Sequence, residues 1–265
     1  MLRKLLKYEM KATRRVFFAL YGAMFAAAVL MNISMYFPYI NAFKVTTFFV
    51  MFALFVALAV LTLMTIVKRF KDNLFSDEGY LMFTIPVSTE KLILSKLISA
   101  LIWTALSCIV TLLVIFTAFV NKEVISGIRD FFAYFNEMYA QILLYIGEIK
   151  GEHILAVVLF LLSIFSQYIY SVLLIYTSLS IGQTAIFSKR RGMASFGAFI
   201  GISIVASLLT RSVFGNLFGS ITTFSLADII AFNSIFGTAV LVNLSLSAIL
   251  FYATNYILKY RLNIE

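Results

Sequence analysis

Hydrophobic and polar residues fall in long blocks along this chain. Uncharged runs occupy residues 16–43, 45–67, 97–121, 154–188, 192–210, 212–227 and 229–258, with charges clustered between them. Six of these runs reach the roughly 19–20 residues that carry a helix across a ~30 Å hydrocarbon core. The pattern predicts spans over 16–38, 45–67, 97–120, 154–182, 192–210 and 233–257. The run 154–188 is too long for one straight crossing. As continuous helix it would measure about 52 Å, so an end or bend is expected near Gly182.

The run 212–227, "SVFGNLFGSITTFSLA", is short and carries Asn216, Ser220, Thr222 and Thr223. It predicts a re-entrant outer hairpin over 211–230, which is tolerable only where protein covers its backbone. The start of the chain, "MLRKLLKYEMKATRR", places Leu2, Leu5, Leu6, Met10 and Thr13 at helical spacing against Arg3, Lys4, Lys7, Lys11 and Arg14. That pattern predicts an amphipathic interfacial helix over 1–15, on the bilayer surface, leading into a retained first span. Between the third and fourth runs, 121–153 forms an outer amphipathic segment, with Phe131, Phe135, Met138, Ile142, Ile146 and Ile149 on one stripe.

Composition agrees with these blocks. Of 265 residues 62% are hydrophobic and 12% charged, more apolar surface than a soluble domain buries. The net charge of +9 is explained by topology rather than by nucleic acid. With six spans, 16 Lys and Arg lie on the side of the termini and 5 on the other, so the termini are expected in the cytoplasm. The expected fold is an all-α integral membrane protein forming a single transmembrane domain over 1–265 in a plasma membrane, of bacterial type.

Candidate chemistry is mostly excluded. One His (His153) and one Cys (Cys108) cannot assemble a zinc set, a Cys–His pair or a disulfide, so no metal or catalytic site is expected. No Gly-rich loop ending in Gly-Lys-Ser/Thr is present, so ATP would have to bind another chain. No Asp, Glu, Lys or Arg interrupts the six runs, unlike carriers that keep an ionisable group in the membrane. Asn32, Gln167, Gln183, Asn243 and Asn255 are polar positions in or near spans that read first as helix-joining residues. Gly197 and Gly201, four apart in "GAFIG", make a small-residue face suited to packing within the chain or against a second copy.

The loop 68–96 is the most informative polar segment. In "FSDEGYLMFTIPVSTEKLILSK", Gly79 permits a sharp entry, Pro86 ends a short element and Ser88 suits an N-cap. Tyr80, Leu81, Met82 and Phe83 form an apolar knob beside Asp77 and Glu78. This loop resembles that of type-2, exporter-like ABC transporter permeases. There an acidic residue and Gly precede a short apolar helix, then Pro, a hydroxyl residue and a downstream Lys, here Lys96. The amphipathic start, the six spans, the hydrophobic segment before the last span and "KRR" at 189–191 add to the resemblance. It implies a coupling helix near Asp77 to Thr84 that rests on a separate ATP-binding cassette subunit, which holds ATP and Mg. It also implies a second permease copy or a related permease. The expected function is the permease subunit of an exporter moving a hydrophobic or amphipathic cargo, such as an antimicrobial or other peptide. An ATP-independent channel or carrier and a membrane sensor or assembly subunit stay open as other classes.

Overall fold

A computed structural model describes residues 2–36, 41–75, 88–120, 151–218 and 229–261. Between 126 and 138 it describes all residues but Ile128, Phe131 and Phe135. Among the described residues six long helices are formed: α1 Leu2–Met35, α2 Asn41–Phe75, α3 Thr89–Phe119, α4 Gly151–Gly182, α5 Arg191–Phe218 and α6 Ile229–Tyr260. A short 3-10 helix, Ala185–Arg190, joins α4 to α5, and no strand occurs among the described residues. Each long helix contains a segment long and apolar enough to cross a membrane. The helix satisfies every interior backbone N–H and C=O within itself, which hydrocarbon demands. Exposed Phe48, Phe52, Val56, Val60 and Leu63 run along α2. Such an apolar surface is a liability in water and the normal one in lipid. The chain is a multi-pass membrane protein by these six helices.

Several helices extend beyond the spans read off the charges. Residues 1–15, expected as an interfacial helix leading into the first span, join it without a break: Leu2–Met35 is one helix. Glu9, Thr13 and Phe17 are buried on its inner stripe, and the Ser99 hydroxyl reaches the Met10 sulfur at 3.8 Å. That stripe is therefore partly covered by protein rather than only by membrane. Helix α2 continues past the expected span end at Val67 to Phe75, and α3 starts at Thr89, directly after the Ser88 cap, and runs on through the expected span 97–120. Charge ends a membrane span but does not end a helix: Lys68, Arg69 and Lys71 are good helix formers, and no Gly or Pro intervenes before Gly79. The Ser88 carbonyl accepts from the Lys91 and Leu92 amides at 3.0 and 3.3 Å, which places Ser88 at the N-cap. Ser212–Phe218, expected in the re-entrant hairpin, continue α5, and the rest of that segment to Asp228 lies outside the described residues.

The chain divides into two compact units, 1–66 with 98–148 and 67–97 with 149–265. In the first unit Phe17, Tyr21, Met24, Ala28 and Met31 form a buried seam on α1 with 4-3-4-3 spacing. Trp103, Val110, Val114 and Ala118 of α3 and Met51 and Leu58 of α2 complete its core. Phe17 stacks on Trp103 with centroids 4.3 Å apart, Tyr21 and Ser107 share a hydrogen bond of 2.8 Å, and the Asn32 amide donates to the Val120 carbonyl at 2.6 Å. These pairings rise together along both helices, so α1 and α3 run parallel. Asn32 also satisfies one of the carbonyls that the end of α3 leaves open.

In the second unit α4 packs mainly on α6 and α5. Asn243 donates to Ser166 at 3.5 Å and Thr177 pairs with Thr254 at 2.9 Å, each pair separated by 77 residues, so α4 and α6 are parallel and in register. Phe70 at the end of α2 stacks on Tyr176 of α4 at 4.1 Å, both fully buried. Thr89 at the start of α3 hydrogen-bonds Asn255 of α6.

Helix α5 returns antiparallel to α4 through a tight corner at Gly182. A Cβ added there would lie 1.9 Å from Ser195 Oγ and 2.7 Å from the Arg191 carbonyl oxygen. Only glycine lets the two backbones come this close.

Candidate functional site

The proposed coupling residues Asp77, Glu78, Gly79, Tyr80, Leu81, Met82, Phe83 and Pro86 lie outside the described residues. The flanking helices nevertheless end at Phe75 and begin at Thr89, so 76–88 is the whole connection between two long helices. The outer stripe is described only at Met138, and that residue, Phe132 and Tyr134 are all exposed. His153 belongs to α4, and Cys108 is an exposed free thiol on α3. No group of three His, Cys, Asp or Glu that could hold a metal is found among the described residues.

Gly197 and Gly201 line an apolar groove of about 580 Å³ with Ile181, Phe187, Ala194 and Ala198. A Cβ added at either glycine meets nothing within 4 Å among the described residues. Among the described residues the close helix approach of the second unit is at Gly182 instead.

A cavity of about 610 Å³ lies in the second unit among α4, α5 and α6. From α4 it takes Gln167, Tyr170, Ser171, Leu174 and Ile175. From α5 it takes Phe199, Ser203, Ala206, Ser207, Thr210, Arg211 and Phe214, and from α6 Asn243 and Leu246. Its volume is in the range of small-molecule sites. The spacing explains the lining: Gln167, Tyr170 and Ser171 are i, i+3 and i+4 on one face of α4, while Ser203, Ser207, Thr210 and Arg211 are i, i+4, i+7 and i+8 on α5. Ser171, Ser203, Ser207 and Thr210 donate to carbonyls of their own helices at 2.7–2.9 Å. Only their lone pairs face the cavity.

The charge pattern places Arg211 in a break between runs; the structure places it inside α5, seven residues before the end of the helix. At 1.5 Å per residue it stands about 30 Å along the helix from Arg191, one hydrocarbon thickness away. The polar positions Gln167 and Asn243 were legible singly. Asn243 does join helices, through Ser166. The clustering of Gln167 with Tyr170 and Arg211 was not legible, although the polar stripe Ser203, Ser207, Arg211 at i, i+4, i+8 is a signal that could have found half of it.

No protein-family model matches the chain, and no curated protein or solved structure matches it either.

Proposed function

We propose that the chain is the transmembrane permease subunit of an ABC exporter-like transporter, acting on a hydrophobic or amphipathic cargo with ATP and Mg held by a separate subunit. In this reading it sits in a bacterial plasma membrane with both termini in the cytoplasm, as the 16-to-5 division of basic residues favours. The observation that carries it is an open cavity between apolar helices with polar side chains in its mainly apolar lining, on a chain whose sequence holds no nucleotide-binding loop. In this reading energy arrives from outside the bundle, and the short connection 76–88 joins two helices long enough to transmit it. The cargo path involves a second copy or a related permease, for which the uncovered Gly197 and Gly201 groove is the candidate face.

Copurification from the native membrane tests the reading. An ATP-binding subunit should be retained in detergent, and Tyr80→Ala or Leu81→Ala should loosen it about tenfold or more, the usual effect of truncating a partly buried anchor. Glu78→Lys should weaken retention further by charge reversal, with Glu137→Lys as an outer-segment control. Undiminished retention and transport in all three variants would refute the coupling assignment.

A second reading has one observation in its favour: the cavity is built by three helices of a single chain, as in an ATP-independent carrier. Flux through vesicles containing this chain alone would select it.

A further inference from the structure

The α4–α5–α6 cavity gathers polar side chains, some of which find no side-chain hydrogen-bond partner among the described residues. Among the described residues the Gln167 amide, the Tyr170 hydroxyl and the Arg211 guanidinium have no side-chain partner. Gln167 and Arg211 are exposed and Tyr170 is half-buried. Arg211 stands about one hydrocarbon thickness from Arg191, the level at which the headgroup of an amphiphile sits, and ionisable groups within membrane helices commonly mark ligand paths.

The arrangement selects a ligand. The surrounding hydroxyls already donate to their own helices, so the side-chain donors left over among the described residues are Gln167, Tyr170, Arg211 and the second N–H of Asn243, and among those residues the charge lining the cavity is positive. The complement is anionic and rich in acceptor oxygens. Toward the α4–α5 corner the lining offers apolar surface at Leu174 and Ile175, one turn beyond Tyr170, and at Phe199, while Phe214 adds an aromatic ring beside Arg211. From Arg211 to Phe199 is twelve residues, about 18 Å of helix, close to half the hydrocarbon core.

We propose that this cavity binds an anionic amphiphile lengthwise. Its carboxylate or phosphate sits on Arg211, its upper oxygens on Gln167 and Tyr170, and its chain against Leu174, Ile175 and Phe199. A second copy of this chain fits the surface less well, because a two-fold contact would set Arg211 and a donor-rich face against the same groups. This deepens the transporter reading by naming a cargo class, and rests on that reading only for the ligand's being cargo. Binding needs no ATPase, so it can be tested separately from coupling.

The test is native mass spectrometry of the purified full chain in neutral detergent, offered phosphatidylglycerol, oleate or oleyl alcohol. The unmodified protein should retain at least one of the two anionic ligands tenfold or more over oleyl alcohol, and which of them is retained tells a phospholipid from a free carboxylate source. Arg211→Gln should lose that preference, and Arg211→Lys should recover most of it. Equal retention of oleate, phosphatidylglycerol and oleyl alcohol by the unmodified chain would overturn the proposal, whether or not the variants fold. So would ligand retention by Arg211→Gln equal to that of the unmodified protein. A disulfide-linked dimer of Ser207→Cys with no anionic ligand retained would assign the face to a second copy instead.

Discussion

Replacing Gly182 by alanine tests the corner that turns α4 into α5. The backbone at Gly182 is not left-handed, so the constraint is room for a Cβ rather than strain. The new carbon would meet Ser195 Oγ at 1.9 Å, the Arg191 carbonyl oxygen at 2.7 Å and the Ser195 amide nitrogen at 2.9 Å. The hydroxyl can rotate away, at the loss of its 3.0 Å bond to the Arg191 carbonyl, worth about 1 kcal/mol. The two backbone atoms belong to the first turns of α5 and can yield only by shifting that helix. Overpacking of this kind typically costs about 1–3 kcal/mol, so Gly182→Ala should destabilise by about 2 kcal/mol, or about 30-fold in the unfolding equilibrium. Adding Ser195→Ala removes the shortest contact but leaves both backbone contacts, and should recover less than half. Helix content followed through an SDS titration measures the stability. Trypsin cleavage at Lys189, Arg190 and Arg191 should quicken in parallel as the corner opens. A Gly182→Ala protein within about 0.5 kcal/mol of the original and equally resistant to trypsin would refute the close approach. Full rescue by Ser195→Ala would show that only the hydroxyl, not the backbone, fills the space.

Other substitutions report on the two cores. Tyr21→Phe removes the 2.8 Å bond to Ser107 and should cost about 1 kcal/mol in the same titration, with the Phe17–Trp103 stack preserved in the Trp fluorescence; an unchanged midpoint would deny the bond. Thr177→Val and Thr254→Val, singly and together, should give a coupling energy of about 0.6 to 1.7 kcal/mol, and additive single effects would mean that the hydroxyl pair contributes nothing. Gly201→Leu should leave the stability of the chain unchanged, since the position is open, and should weaken dimers in detergent or vesicles. A dimer that survives Gly201→Leu would move the contact elsewhere.

Much of the architecture is legible in the residues alone because insertion into hydrocarbon is decided segment by segment. A helix closes its own hydrogen bonds, so about twenty apolar residues suffice to specify a span without reference to any neighbour. That is why the blocks of uncharged residues coincide with six helices. Helix ends were less legible. Lys68–Lys71 leave the hydrocarbon but remain in α2, because charge sets membrane depth while Gly and Pro set where helix stops.

Pairing between helices was decided by the tertiary structure. In lipid nearly every face of a span is apolar, so amphipathicity does not tell which side meets protein. Phe17, Tyr21, Met24, Ala28 and Met31 are buried while Phe18, Val29 and Leu30, just as greasy, are exposed. Two glycine positions show the same gap. Among the described residues nothing packs on the spaced pair Gly197 and Gly201, while Gly182, where the run length marks an end or bend but no partner, carries the close helix approach. Likewise Gln167 and Arg211, 44 residues apart, line one cavity only because α5 folds back antiparallel beside α4. Periodicity fixes which residues share a face of one helix; the steric fit of small residues and the few available polar bonds decide which faces meet.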